Sequence, residues 1–392
     1  MKIVQYLREG DSEWDLYAGN PDTRPQLVLY FGGKEILQDA AAIQSMRDLF
    51  PDAEWVGGTT AGEIIGTEVL DDSIVATGIE FQDTEIQVES LIIEVSGQSY
   101  LAGAKLAQGL QREDLAHVFV LSDGHVVNGS NLVKGLKEHL DDSVVITGGL
   151  AGDGDRFEQT LVGVNGSPIP GQIAVVGFYG ENLEIGHGSV GGWDAFGPER
   201  TITSAKDNVL YELDGQPALE LYKKYLGEEA QNLPASALEF PLMIRPIDQD
   251  GMGTVRTILQ INEEDGSMVF AGDMPEGHAA QLMTANFERL VDGAAEAAKH
   301  AREGVGADSE EADRLALMVS CVGRKIVMGQ RVVDEVEVVS DVLGENILQA
   351  GFYSYGEISP HVESGYCDLH NQTMTITYLS EKQPCTNSSQ GS

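Results

Sequence analysis

Basic residues are scarce in this 392-residue chain, where 24 Lys and Arg stand against 63 Asp and Glu for a formal charge of -39. Such a field repels a phosphate backbone, and no Lys/Arg-rich stretch offsets it locally, which excludes nucleic acid and anionic membrane as partners. Cysteine is nearly missing. Cys321, Cys367 and Cys385 form an odd set without a CxxC pair, which argues against a disulfide framework or a thiolate zinc site and fits a reducing cytoplasm. No apolar run approaches the roughly 20 residues of a spanning helix. The opening MKIVQYLREG lacks the apolar core of a signal peptide, so the expected location is cytoplasmic. Catalytic signatures are missing too: there is no G-x-S-x-G elbow, no H-E-x-x-H pair and no GxxxxGK[ST] loop. GHGSVG (186–191) matches G-x-G-x-x-G, but GWDAFGP follows it where a dinucleotide fold needs a helix. The expectation is a protein that is not an enzyme.

What the chain has is a pattern that occurs three times. LVLYFGG (27–33), a helical segment and EWVGGTTAGEI (54–64) form the first copy. HVFVLSDG (117–124), a helical segment and VVITGGLAGDGD (144–155) form the second. The third is LALMVSCVGR (315–324), a helical segment and ILQAGFYSYGEI (347–358). Each opens on a buried-type strand. Each helical segment shows one apolar face: Ile36, Ala40, Ile43, Met46 and Phe50; Leu132, Leu136 and Leu140; Val332, Val336, Val339 and Leu343. A hairpin is expected after each glycine turn: SIVATGIEF, QTLVGVNG with QIAVVGFYG, and YCDLH with TMTITYLSE. The fold class this predicts is α/β to α+β, with mixed sheets covered by helices and a repeated strand-helix-strand-hairpin unit. Between the second and third copies, a glycine-rich loop (186–198) and a long helix near 278–302 are expected. That helix carries Met283, Phe287, Leu290, Val291, Ala294 and Ala298 on its core face.

Glycines at strand ends let a ligand approach the backbone, and open α/β sheets bind outside those ends. Three such turns converging would make one pocket, as against three plain tight turns. The candidate ligand-binding residues are Thr59, Thr60 and Glu63 in the first turn, Asp153 in the second, and Tyr353, Tyr355 and Glu357 in the third. An acid at matched positions suits an amine or a cation. Arg324 is a candidate either for ligand contact or for an internal pair with Glu357. His370 and Asn371 complete the set, on opposite faces of a strand. Specific contacts are expected to concentrate in the third copy, with the first two turns acting as walls. Trp193 and Phe196 either cover an apolar ligand or plug the core edge.

GGTTAGEI (57–64), GGLAGDGDRFEQT (148–160), TITSAKDNVLYELDGQPALELYKKYLG (201–227) and FPLMIRP (240–246) resemble the N-terminal FIST domain and its junction. SCVGR (320–324), GFYSYGEISP (351–360) and LHNQTM (369–374) are similar to the C-terminal FIST signature. The resemblance implies an N-terminal domain over 1–180, a C-terminal domain over 181–382 with the third copy near 315–381, and a disordered tail at 383–392. It further implies a bacterial signal-transduction sensor of small ligands that acts on a histidine kinase or a cyclic-di-GMP enzyme. Some members of the family are haem proteins that detect nitric oxide. No cofactor is otherwise indicated. A haem iron would need an axial ligand, which would be His370 or Cys367 among formal candidates that also include His125, His187, His278, His361 and Cys321.

Overall fold

The computed structural model describes residues 1–233, 235–248, 253–305, 313–344, 347–361 and 365–382. The tail expected at 383–392, with Cys385, lies outside the described residues.

Three six-stranded sheets follow one plan. At the centre of each is a parallel pair: Leu27–Gly32 with Glu54–Thr59, Leu115–Ser122 with Val145–Leu150, and Arg314–Cys321 with Ile347–Ser354. A parallel pair needs a crossover, supplied here by the helices Ala40–Leu49, Gly129–Lys137 and Val332–Leu343. An antiparallel closing strand lies beside each first strand: Ser73–Glu80, Gln172–Tyr179 and Met374–Glu381. Beyond it lies the strand that opens the unit: Lys2–Glu9, Glu85–Ile92 and Leu183–Val190. The threefold repeat and the mixed sheets covered by helices are therefore present as expected.

The hairpins use other strands than expected: Glu63–Ile65 turns back on Glu68–Leu70 and Gly356–Pro360 on Cys367–His370, whereas Val162–Val164 does not pair with Gln172–Tyr179, nor Cys367–His370 with Met374–Glu381. The strand after each glycine turn leaves its own sheet and pairs antiparallel with another unit. Glu63–Ile65 of the first unit joins Ile347–Ser354 of the third, Gly356–Pro360 of the third joins Val145–Leu150 of the second, and Val162–Val164 of the second joins Glu54–Thr59 of the first. The exchange is cyclic. It leaves one shared interior in which Phe31 stacks on Phe352 and side chains of all three units meet.

The helical faces depart from expectation at their ends. In the first unit the chain breaks after Lys34–Leu37, and Asp39 caps a new helix by accepting from the Ala41 N–H. Leu37, Ala42, Ile43 and Met46 are buried, while Ala40 is exposed. Leu132 and Leu136 are buried, but Leu140 lies past the helix end and is half-buried. In the third unit all four predicted positions are buried. The long helix is shorter than 278–302: His278–Thr284 is a strand, and the helix Phe287–Glu303 starts where Asn286 caps it through the Arg289 N–H. Met283 is thus a strand residue, Phe287 is 43% exposed, and Val291 is half-buried, whereas Leu290, Ala294 and Ala298 form the buried face.

The glycine-rich loop at 186–198 also needs correction, because Leu183–Val190 is a full strand paired with Met374–Glu381. Its glycines serve packing. A Cβ at Gly186 would collide with the Ala301 carbonyl, and one at Gly188 with that of Ala297. Bare backbone on the strand and alanines on the helix let the two lie in direct contact.

A further unit is inserted between Leu183–Val190 and Arg314–Cys321. It has a nine-stranded sheet and its own core around Leu210, Leu219, Tyr222 and Phe270.

Replacing Gly188 by valine forces helix and strand apart, and the expected loss is about 1–3 kcal/mol or more in urea unfolding. Valine at Gly215, where nothing lies within 4 Å of an added Cβ, meets no such clash, although its positive φ disfavours a β-branched residue. Of the two, only Gly188→Val should also loosen the helix Phe287–Glu303 in amide exchange.

Candidate functional site

The three glycine turns do converge, and they interlock through their backbones. The Ala61 N–H donates to Tyr353 O at 2.8 Å, the Tyr355 N–H to Leu150 O at 3.2 Å, and the Gly152 N–H to Thr59 O at 3.0 Å. Thr59, Leu150 and Tyr353 are the equivalent acceptors, and the donor lies two residues later in each turn. A closed ring of hydrogen bonds results, in which each turn satisfies the next.

The side chains around this ring repeat as well. Thr60 donates to Glu63 Oε1 at 2.5 Å, and Ser354 to Glu357 Oε1 at 2.6 Å. The second oxygen of Glu63 accepts from the Ser73 amide and hydroxyl, and that of Glu357 from the Thr373 amide and hydroxyl. Both acids are essentially inaccessible. Burial outweighs these hydrogen bonds and pushes the Glu63 carboxyl up to about 7 and that of Glu357 up to about 8. Asp153 sits one position earlier than a true counterpart. It accepts from Tyr355 OH and from the Glu158 and Gln159 amides, with Lys34 Nζ 3.7 Å away. Burial pushes this carboxyl up, but the hydrogen bonds from Gln159, Tyr355 and Glu158 overcome it and leave the group below the usual carboxylate range.

Beside the first turn the surface opens into a cleft of about 420 Å³. Its walls come from Thr60–Glu63 and Asp71–Asp72 of the first unit, Gly154–Arg156 of the second, and Val322, Lys325 and Ile326 of the third. Ala61 keeps it open, since the equivalent position in the third turn carries Tyr355, stacked on Phe157 with centroids 4.6 Å apart. Lys325, like Asp71, Asp72, Asp155 and Arg156, lines the cleft and was missed by the sequence reading. Its ammonium bonds Ala61 O and the Asp71 carboxylate and stands 5.6 Å above the Tyr353 ring. The available signal was a second cation beside Arg324 in a chain with few.

Of the predicted residues, Thr60 and Glu63 line the cleft. Thr59 is buried beneath it, accepting from the Leu161 amide. Tyr353 is fully buried and donates to Glu335, and Tyr355 is covered by Phe157. Arg324 makes an internal pair, but its partner is Glu335 and not Glu357: Nε and Nη2 lie 2.9 and 2.7 Å from Glu335 Oε2. Its remaining bonds go to Gly191 O and Leu290 O. His370 and Cys367 lie on a buried edge strand, bonded to Ser359 O and Ile146 O. Burial, aided by the His361 charge, pulls His370 down to about 3. Trp193 is buried, with its ring N–H on Gln372 O, and Phe196 sits exposed on the inserted unit.

The fit to haem is poor. No His or Cys is among the described residues that line the cleft, and the two expected axial ligands are engaged elsewhere. Among the described residues no group of three His, Cys, Asp or Glu side chains could hold a metal ion, and no helix is long and apolar enough to cross a membrane.

Residues 26–216 match the FIST N domain, and residues 218–360 match the FIST C domain. The chain belongs to the FIST family. FIST domains are regarded as small-ligand sensors in signalling. An uncharacterized protein of Methanocaldococcus jannaschii is 24% identical over 310 residues, which cover 72% of this chain and 57% of that protein. The chain therefore matches little more than half the length of that relative. A solved cyanuric acid hydrolase from A. caulinodans aligns over 98% of this chain and 99% of its own at 10% identity, with a TM-score of 0.35. A likeness that loose carries no functional meaning.

Two measurements check the electrostatics of this FIST protein. Removing the Glu335 carboxylate strands Arg324 in the core, so Glu335→Ala should cost about 3–5 kcal/mol in chemical unfolding. Glu63 has a raised folded-state pKa, so its contribution is present below its ordinary 4.5 and is lost as pH climbs through about 7. Glu63→Gln should therefore gain on the parent by about 3 kcal/mol between pH 4.5 and pH 8. A stability difference that stays flat across that range would mean that Glu63 titrates normally.

Proposed function

We propose that this FIST protein is a non-catalytic cytoplasmic sensor that takes an amino-acid-like ligand in the open cleft and reports its occupancy to a histidine kinase or a cyclic-di-GMP enzyme. One observation supports this reading above the rest: the cleft walls come from all three units. A ligand seated there touches every unit at once, and it biases their arrangement by its differential affinity for two arrangements. Carboxylates at Asp71, Asp72 and Asp155 line the cleft together with the cations Lys325 and Arg156, a lining that matches a ligand carrying both an ammonium and a carboxylate.

Thr60 and Glu63 form a hydroxyl–carboxylate pair of the kind that activates a nucleophile. The same pair recurs as Ser354 and Glu357, fully buried where no substrate reaches. A device repeated in a sealed position belongs to the architecture, which favours a sensor over an enzyme.

In a thermal-shift panel of the common L-amino acids at pH 7.5, at least one should raise the melting temperature by several degrees. Calorimetry should then show that Lys325→Ala weakens that ligand tenfold or more, about 1.4 kcal/mol. A silent panel, together with a partner kinase whose activity ignores the protein, would sink the proposal.

A further inference from the structure

The turn that precedes each closing strand holds one residue at positive φ in all three units. Asp72, Gly171 and Gln372 take positive φ values of 57, 71 and 63°, one residue before Ser73, Gln172 and Thr373. Asn371 and Gln372 are therefore the third-unit counterparts of Asp71 and Asp72, which are exposed and line the open cleft.

In the third unit this position is closed. Three stretches of the inserted unit cover it: Leu238 O accepts from Gln372 Nε2, Arg256 donates to Leu369 O and pairs with Asp368, and Asp273 accepts from Asn128 at the start of the helix Gly129–Lys137. Asn371 has no exposed surface, and among the described residues neither its Oδ1 nor its Nδ2 has a partner. Gln372 Oε1 next to it is unpartnered as well. An unmet buried donor or acceptor costs about 1–3 kcal/mol, and native proteins rarely leave two on one side chain.

We propose that Asn371 anchors a second ligand site, the covered counterpart of the open cleft, for a small primary amide. The chemistry follows from the two free atoms. A carboxamide accepts from Nδ2 through its oxygen and donates to Oδ1 through its nitrogen, satisfying both in one planar pair, whereas a free carboxylate leaves Oδ1 unmet. Entry to a site with no exposed surface requires the inserted unit to lift from the edge strand Cys367–His370, so occupancy is tied to the position of that unit.

The test titrates the full chain with two uncharged primary amides, acetamide and propionamide, using the parent, Asn371→Leu, Asn371→Ala and Lys325→Ala. Calorimetry should show binding to the parent and to Lys325→Ala alike, and at least tenfold weaker binding to both Asn371 variants. Without ligand, Asn371→Leu should melt at or above the parent temperature, because an apolar side chain removes two unmet groups. No binding by either probe, equal binding by the Asn371 variants, or a crystal structure of the soaked protein with only water at Asn371 overturns the proposal. Loss of binding in Lys325→Ala alone would place the amide in the open cleft, which also overturns it and leaves the cleft reading standing.

Discussion

Three backbone hydrogen bonds, Ala61 to Tyr353, Tyr355 to Leu150 and Gly152 to Thr59, close a ring at the junction of the repeats, and the rest of the molecule is organised about that ring. Buried amides and carbonyls must be paired. Each turn finds its partner on a neighbouring turn, so no unit can satisfy its own. Strand exchange works in the same sense, because every exchanged strand completes the sheet of another unit. Taking one unit away would leave one remaining sheet without its added strand and one exchanged strand without a sheet. The assembly of the three units is therefore cooperative by construction, and a perturbation at one junction is felt at the other two.

On this common frame the units differ in a few side chains, and those differences decide where the surface is open. Position 61 is alanine where its counterparts are Gly152 and Tyr355. The alanine leaves room, and the tyrosine fills its own junction together with Phe157. Asp71 and Asp72 are solvated, whereas Asn371 and Gln372 lie under the inserted unit. The neutral amides fit their burial, since two carboxylates at that depth would carry a desolvation cost of several kcal/mol each. The acids at Glu63 and Glu357 are already expensive, as their raised pKa values show, and the second unit avoids a matching group. There Asp123 accepts from the Gly171 amide, and Asp153 sits beside Lys34.

The repeat, the mixed sheets and the apolar face of Val332–Leu343 were legible because they depend on local periodicity. What was illegible depends on partners distant in sequence. Nothing in GEI or LVGV says that the strand will pair with another unit, because strand periodicity fixes which face is buried and is silent about the neighbour. The glycines of GHGSVG read as a loop, since their purpose appears only when Ala297 and Ala301 are laid against them. For Arg324 the sequence left ligand contact and an internal pair with Glu357 open, and the pair is made with Glu335, which reaches it from a helix of which only the apolar face had been read. The acids of the first and third turns were found by their matched spacing. Lys325 was passed over because its counterparts Lys34 and His125 stand at other offsets from the ends of their strands, so that spacing alone does not align them.

Cations are few in this chain, and their distribution around the ring bears on how occupancy of the cleft would be transmitted. A basic side chain from the segment after one unit's first strand meets the turn of another unit at each junction. Lys325 of the third unit bonds Ala61 O, Lys34 of the first lies near Asp153 of the second, and His125 of the second meets the Tyr355 ring of the third at 5.7 Å. In the resting arrangement Lys325 divides its ammonium between Ala61 O and the exposed carboxylate of Asp71. The Asp71 contact is solvated and worth at most about 1 kcal/mol, so a ligand carboxylate can displace it at little cost. The Ala61 contact belongs to the ring. A ligand that draws Lys325 away from Ala61 O therefore acts on the same residue whose amide closes the ring to Tyr353, and it does so without disturbing any buried ion pair.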